Sequence, residues 1–210
     1  MAIDEAKAIL DVPGKERAGF SLLELLAVIG VGSIVTVVAV PVMSNAIANM
    51  KLRSNMTSLS GVLQNTRAIA VKQNVAKTAC HFNRSDPPYS LVYFVKSATD
   101  CTTATVATTD SQVELEAPIV PYTTPFGTGA PAAIDNATLG LLSNPLTSDP
   151  SFNSRGLPCS FSGGTCTPNA AFIQYYKDTR FSSSGGWAAI SISPAGRIRR
   201  WFWSGSAWNS

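Results

Sequence analysis

Apolar residues are distributed along this chain in three regimes. From Phe20 to Val40 the sequence reads FSLLELLAVIGVGSIVTVVAV, with a single charge at Glu24. A helix of that length rises about 31 Å, enough to cross a hydrocarbon core of about 30 Å. Lys15, Glu16 and Arg17 flank it on one side, Lys51 and Arg53 on the other. A secretory signal would have a shorter apolar core ending in small residues. Here the run passes directly into the second regime, where apolar positions recur at helical spacing. Met56, Leu59, Leu63, Thr66 and Ala70 follow steps of three or four, with Val62 and Ile69 widening the stripe. Lys51, Arg53, Gln64, Arg67 and Lys72 fall between them. Together these patterns predict one long helix, with a membrane-spanning half over 20–40 and an amphipathic half over 41–76. Pro41 removes a backbone donor near its middle and favours a kink there.

The third regime begins beyond Thr78 and is β-like. Tyr89 to Val95, Val113 to Val120, Ala171 to Tyr176, Trp187 to Ile192 and Ile198 to Trp203 are rich in β-branched and aromatic residues. Asp86-Pro87-Pro88, Ser182 to Gly186 and Pro194-Ala195-Gly196 supply turn chemistry between them. Residues 118–150, rich in Pro, Thr, Ala, Gly and Asn, read as an insertion or long loop, because strands resume after it. The expected fold class is α+β: a long N-terminal helix packed on an antiparallel β head over 77–210.

Composition narrows the chemistry. The chain of 210 residues is 45% apolar and 14% charged, which excludes a disordered or acidic-tail protein. A net charge of +3 is too weak to imply nucleic acid by itself. One histidine, His81, disfavours a histidine-rich metal site or a Ser/His/Asp hydrolase. No paired carboxylates or nucleophile–base arrangement stands out. Gly163-Gly164 and Gly185-Gly186 lack the lysine and helix start of a phosphate-binding loop, so they read as turn glycines. No catalytic residue, metal ligand or cofactor is therefore assigned. A zinc site is the lesser alternative for the cysteines, since no C-x₂-C spacing occurs and only one imidazole is available. Cys80, Cys101, Cys159 and Cys166 allow three disulfide pairings, of which the local pairs Cys80–Cys101 and Cys159–Cys166 close the shortest loops.

The junction before the apolar run is the most specific signal. Lys15-Glu16-Arg17-Ala18-Gly19-Phe20-Ser21-Leu22-Leu23-Glu24 resembles the processing site of type IV prepilins and of type II secretion pseudopilins. That resemblance implies a leader over 1–19, cut by a prepilin peptidase between Gly19 and Phe20, with N-methylation of Phe20. It also implies a single pass through the bacterial inner membrane with a periplasmic head, a compartment that permits disulfides. Glu24 has a physical role in this frame: a carboxylate in an apolar span is costly unless paired. By the resemblance, it neutralises the amine of Phe20 in a neighbouring subunit during assembly. The implied partners are the membrane, other pilin or pseudopilin subunits, the peptidase, an assembly ATPase and its inner-membrane platform. A snorkelling glutamate in an ordinary single-span periplasmic binding protein or enzyme is the alternative from another class.

Within the head, Phe152-Asn153-Ser154-Arg155-Gly156-Leu157-Pro158, Gly185-Gly186-Trp187 and Ser193-Pro194-Ala195-Gly196-Arg197-Ile198-Arg199 are similar to the GspH/FimT family of minor pilins and H-type pseudopilins. The end of the helix, Ala68 to Ala76, is similar too. The implied roles are secretion through a type II pseudopilus or biogenesis of a type IV pilus.

Arg197, Arg199 and Arg200 beside Trp201 and Trp203 form the remaining candidate site. On a strand, Arg197, Arg199, Trp201 and Trp203 share one face, and Ile198, Arg200 and Phe202 share the other. An arginine–tryptophan face suits phosphates and stacked bases. The Gly196-Arg197-Ile198-Arg199 segment resembles an element associated with DNA binding in competence-type minor pilins, which makes DNA a candidate partner. The bland reading is a hairpin with arginines lying over packed aromatics, and Arg200 among apolar neighbours marks a candidate bulge.

Overall fold

The computed structural model describes residues 21–83, 91–97, 101, 112–115, 118–125, 127–182 and 184–210. It divides into two compact units, residues 1–44 and 45–210. Helix α1 (Leu22–Gln73) belongs to both and continues through Pro41.

In the first unit, apolar side chains such as Leu22, Leu26, Ile29, Ile34 and Met43 are exposed along α1. Its hydroxyl groups are satisfied within the helix: Ser33 Oγ donates to the Gly30 carbonyl at 2.8 Å and Thr36 Oγ1 to that of Gly32 at 2.7 Å. A helix that meets its own hydrogen-bonding needs and presents apolar side chains is suited to lipid.

In the second unit the helix turns amphipathic. Ala48, Leu52, Met56, Leu59, Leu63, Thr66 and Ala70 are buried at steps of three and four. Buried Thr66 returns its hydroxyl to the Val62 carbonyl at 2.8 Å, so no polar atom is orphaned. The helix stops at Gln73, three residues before the expected Ala76. Asn74 takes φ of 55°, Asn74 N–H bonds the Val71 carbonyl and Val75 N–H that of Ala70. This is a left-handed cap that closes the last turn, with asparagine in the place usually held by glycine.

Two antiparallel sheets complete the head. The first has the order β3 (Gln112–Leu115), β2 (Leu91–Ser97), β1 (Lys77–Asn83), β5 (Ser151–Phe152), β6 (Pro158–Ser162), β7 (Thr165–Pro168). The second runs β11 (Trp208–Asn209), β10 (Ile198–Trp203), β9 (Trp187–Ile192), β8 (Phe172–Asp178), β4 (Ile119–Tyr122). The run from Val113 to Val120 is therefore two strands in different sheets, not one. The β1 strand and the β6–β7 hairpin also go beyond the sequence expectation.

The main core lies where the α1 stripe meets Ala79, Tyr93 and Phe152 of the first sheet and Phe172, Tyr176 and Ile190 of the second. Tyr93 Oη and Tyr176 Oη are 2.6 Å apart and lie 3.1 and 2.8 Å from Gln174 Oε1, so their two hydroxyl protons are shared within one buried triad that ties the sheets together inside this core. Burial pushes both phenols well above their ordinary pKa. A second core forms on the other face of β8–β10 from Ile173, Tyr175, Ala189 and Trp201, covered by Ile134 and Leu139. The 118–150 stretch thus opens with a strand, β4, and then folds over the sheet. Trp208 Nε1 donates to the Ala132 carbonyl, Ile134 N–H to Tyr175 Oη, and Leu146 bridges Phe172. It includes one helical turn, α2 (Asn136–Leu139), capped by Asp135. With both faces covered, every residue of β8 and β9 is buried.

Candidate functional site

Two regions carry the residues singled out in the sequence. The first is the N-terminal helix. Glu24 lies in its first turn with its side chain exposed among leucines. Gly19 and Phe20, the expected processing and methylation positions, lie outside the described residues.

The second is β10 and the turn before it. Gly196 occupies the left-handed region, φ 81°, where the chain reverses between β9 and β10. Ser193 closes this turn: its N–H donates to the Arg197 carbonyl, its carbonyl accepts from Gly196 N–H, and its Oγ accepts from Arg197 N–H. Pairing with β9 is then unbroken from Ile198 to Phe202, so no bulge interrupts the strand and side chains alternate strictly.

That alternation separates the three arginines. Arg197 and Arg199 line a cleft of about 390 Å³ with Ser191, Ser193 and residues 137–141 of the ordered insertion. The Arg199 guanidinium lies 6.0 Å from the centroid of Trp201, whose Nε1 donates to Ser191 Oγ at 2.8 Å. Trp201 is buried and belongs to the second core, so it is not available for stacking on a ligand. Arg200 points to the opposite face, where Nη1 donates to Thr57 Oγ1 of α1 at 2.7 Å. There it shares a cleft of about 310 Å³ with Arg53, Phe202 and Trp203. The three arginines therefore do not form one patch. A single polar side chain on an otherwise apolar strand face marks a reach to the helix here, not a bulge.

Two residues that the sequence reading left unassigned prove central. Arg53 packs its guanidinium 4.6 Å from the Phe202 ring centroid. Arg67 lies between the Gly156 turn and the Gly196 turn, and its Nη1 donates to the Gly196 carbonyl at 3.4 Å. Both contacts join residues far apart in sequence, so periodicity alone held no signal for them.

The cysteines form Cys80–Cys101 and Cys159–Cys166, each with Cα atoms 5.3 Å apart. Asp149 lies beside Cys80 and Cys101, but sulfurs joined to one another are not thiolate ligands. Asp149 is instead paired with Nδ1 of His81, whose ring stacks 5.5 Å from that of Tyr93. His81 thus has a structural position, holding the end of the insertion to β1.

The class defined by these observations is an α+β protein whose N-terminal helix is long and apolar enough to cross a membrane and whose β part is stapled by two disulfides. The model of the prokaryotic N-terminal methylation motif matches residues 14–40, covering the basic junction and the apolar run. The match supports a type IV pilin-like protein, processed by a prepilin peptidase and assembled with other pilins. No curated protein and no solved structure matches the chain.

Proposed function

We propose that this chain is a minor pilin or pseudopilin, acting by assembly and not by catalysis, in a type II secretion pseudopilus or a type IV pilus. The observation that carries this reading is the methylation motif over 14–40 running straight into a lipid-compatible helix. In this role the peptidase cuts between Gly19 and Phe20, Phe20 is N-methylated, and the head faces the periplasm. The subunit then waits in the inner membrane until an assembly ATPase and its platform draw it into the fibre. Glu24 pairs with the amine of Phe20 of an adjacent subunit, replacing an unpaired carboxylate in an apolar layer with an ion pair. The GspH/FimT assignment is supported by a convergence in space: the Asn153–Leu157 turn and the Ser193–Arg197 turn both close on Arg67 of α1.

Intact-mass analysis of the membrane form tests the reading. It should show loss of Met1 to Gly19 and gain of one methyl group. A mature chain that keeps its leader beside an active prepilin peptidase fits the single-span alternative instead.

A second reading within the same class is capture of DNA. Its support is the Arg197–Arg199 cleft, where neither guanidinium has an acidic partner among the described residues. Phosphate is the chemistry that such a pair recognises.

A further inference from the structure

Asp149 gives the Cys80–Cys101 disulfide an acidic neighbour. A carboxylate oxygen of Asp149 and the two sulfurs all lie within 4.8 Å of one another, with Cys80 buried and the other two residues half-buried. Two of these three donors are placed by backbone pairing and not by the S–S bond. Cys80 sits inside β1, opposite Phe94 in the antiparallel ladder with β2. Asp149 is held to the other edge of β1: Ala79 N–H donates to the Pro150 carbonyl at 3.0 Å and His81 N–H to Asp149 Oδ2 at 3.4 Å. Thr78 and Ser151 pair beside it, with their hydroxyl oxygens 2.7 Å apart, in register with the β1–β5 ladder. Cys101 follows the end of β2 by four residues.

In the oxidised chain the two sulfurs are bonded to each other. A dithiol reductant changes this by thiol–disulfide exchange: two electrons break the S–S bond, the protein gains two thiols, and the reductant closes its own disulfide. Two thiolates and a carboxylate are a donor set for zinc, which binds sulfur at about 2.3 Å and carboxylate oxygen at about 2.0–2.2 Å. Tetrahedral angles then put the sulfurs about 3.8 Å apart, within reach of side chains whose Cα atoms are 5.3 Å apart. Calcium and magnesium take oxygen ligands instead. His81 completes the arrangement from outside. Its Nδ1 pairs with Asp149 Oδ1, fixing the carboxylate as outer partners fix metal ligands.

We propose that in the dithiol form Cys80, Cys101 and Asp149 bind one Zn²⁺, with His81 positioning the carboxylate and water in the fourth place. The two thiols release two protons to solvent as the ion binds. Zinc and the disulfide are alternative closures of one loop, whose ends are 21 residues apart. The metal holds the loop while the thiols are reduced. Exchange with an oxidising disulfide then takes up two electrons, forms the S–S bond and releases the ion. Nothing in this site depends on the reading of the chain as a pilin.

Cobalt(II) reads the site, because thiolate ligation gives it charge-transfer absorption and tetrahedral geometry strengthens its visible bands. The full chain in detergent micelles, reduced with dithiothreitol and desalted without oxygen, should bind one Co²⁺ and exchange it for Zn²⁺. The oxidised chain should bind none. Cys159→Ser/Cys166→Ser should bind as the unaltered chain does, and Cys80→Ser/Cys101→Ser should not bind. Asp149→Asn should weaken affinity by about 100-fold, and Asp149→Glu, which keeps a carboxylate, should recover most of it. His81→Phe keeps a ring against Tyr93 and should weaken affinity about 10-fold with the charge-transfer intensity unchanged. That split marks a positioning residue, since a collapsed site would lose the thiolate signal as well. Equal affinity in Asp149→Asn would mean that any two thiols of a loosened chain suffice, and overturns the proposal. So does a loss in Asp149→Glu as large as in Asp149→Asn, cobalt that stays bound in Cys80→Ser/Cys101→Ser, or a reduced chain that takes up no metal.

Discussion

Arg67 and Gly196, one in the amphipathic half of α1 and the other in the turn before β10, are joined by a hydrogen bond from Nη1 to the glycine carbonyl. The turn has no room to spare. A Cβ on Gly196 would sit 3.2 Å from that same Nη1, while one on Gly156 would sit 2.9 Å from Val71 Cγ2 and 3.0 Å from Arg67 Cγ. Both glycines have left-handed φ, at 81° and 73°. Two short segments that read as independent motifs in the sequence are thus the two jaws of one grip on the helix.

This grip predicts an order of stability. Gly156→Ala combines left-handed strain with a close approach to the helix and should cost about 1–3 kcal/mol. Gly163→Ala carries similar strain, at φ 57°, but meets open space. It should cost about 1 kcal/mol. Thermal unfolding of the two variants of the 45–210 unit checks the difference. Equal losses would mean that the contact with Arg67 and Val71 contributes nothing.

Glu24 leads to a prediction about assembly. Replacing it with Gln or Ala removes a carboxylate from an apolar stretch and lowers the insertion cost by about 2–3 kcal/mol. Membrane insertion and leader removal should therefore proceed as before. Under the proposed pairing, incorporation into fibres, measured on sheared or affinity-purified material, should fall by an order of magnitude or more, because the amine of a neighbouring Phe20 would lose its counter-charge. Normal incorporation of both variants would assign Glu24 to the first turn of α1 alone, where a carboxylate already suits the helix dipole.

The elements legible in the sequence were those specified by local pattern. The burial of Met56, Leu59, Leu63, Thr66 and Ala70 follows from spacing along one helix, and the alternation along β10 follows from the pleat. The limits were set by tertiary contact. Asn74 stops the helix early through a conformation that asparagine tolerates but does not announce. Residues 118–150 read as a loop because Pro and Thr dominate them. Their cover of the sheet depends on two separated apolar residues, Ile134 and Leu139, which show no period. Arg200 was legible as a misfit on its face, while its partner Thr57 was not, being 143 residues away.

The cap of α2 gives a pH dependence with a definite sign. Thr138 N–H donates to Asp135 Oδ1 at 2.6 Å and holds that carboxyl below its ordinary value of 3.8. A carboxylate whose folded pKa is depressed adds stability above its unfolded pKa, and that stability is lost as pH falls through the folded value. Leu139 and Gly140 amides should then exchange faster below about pH 3.8, after correction for intrinsic exchange. Asp135→Asn keeps a capping oxygen without a titrating group, so its exchange should show no such step. The same step in both chains would place the titrating group elsewhere.

The DNA reading makes the most quantitative demand on the head. Arg197 and Arg199 supply two phosphate contacts in one cleft, while Arg200 faces the other way. Affinity of the Asn45–Ser210 unit for duplex DNA should lie in the non-specific range, about 10⁻⁴–10⁻⁶ M at physiological salt. Sequence preference should be slight, because phosphate contacts carry no base readout and Trp201 is locked in the second core. Each phosphate contact contributes about 0.9 to the slope of log affinity against log salt, so Arg197→Gln with Arg199→Gln should flatten it by about 1.8. Arg200→Gln should leave that slope nearly unchanged. Trp201→Ala is a poor probe, since it empties part of the core that the insertion covers. Fluorescence anisotropy over a salt series reads all of these. No binding at low salt, or an Arg200→Gln defect as large as that of the double variant, would leave the arginine-bearing strand as a structural hairpin.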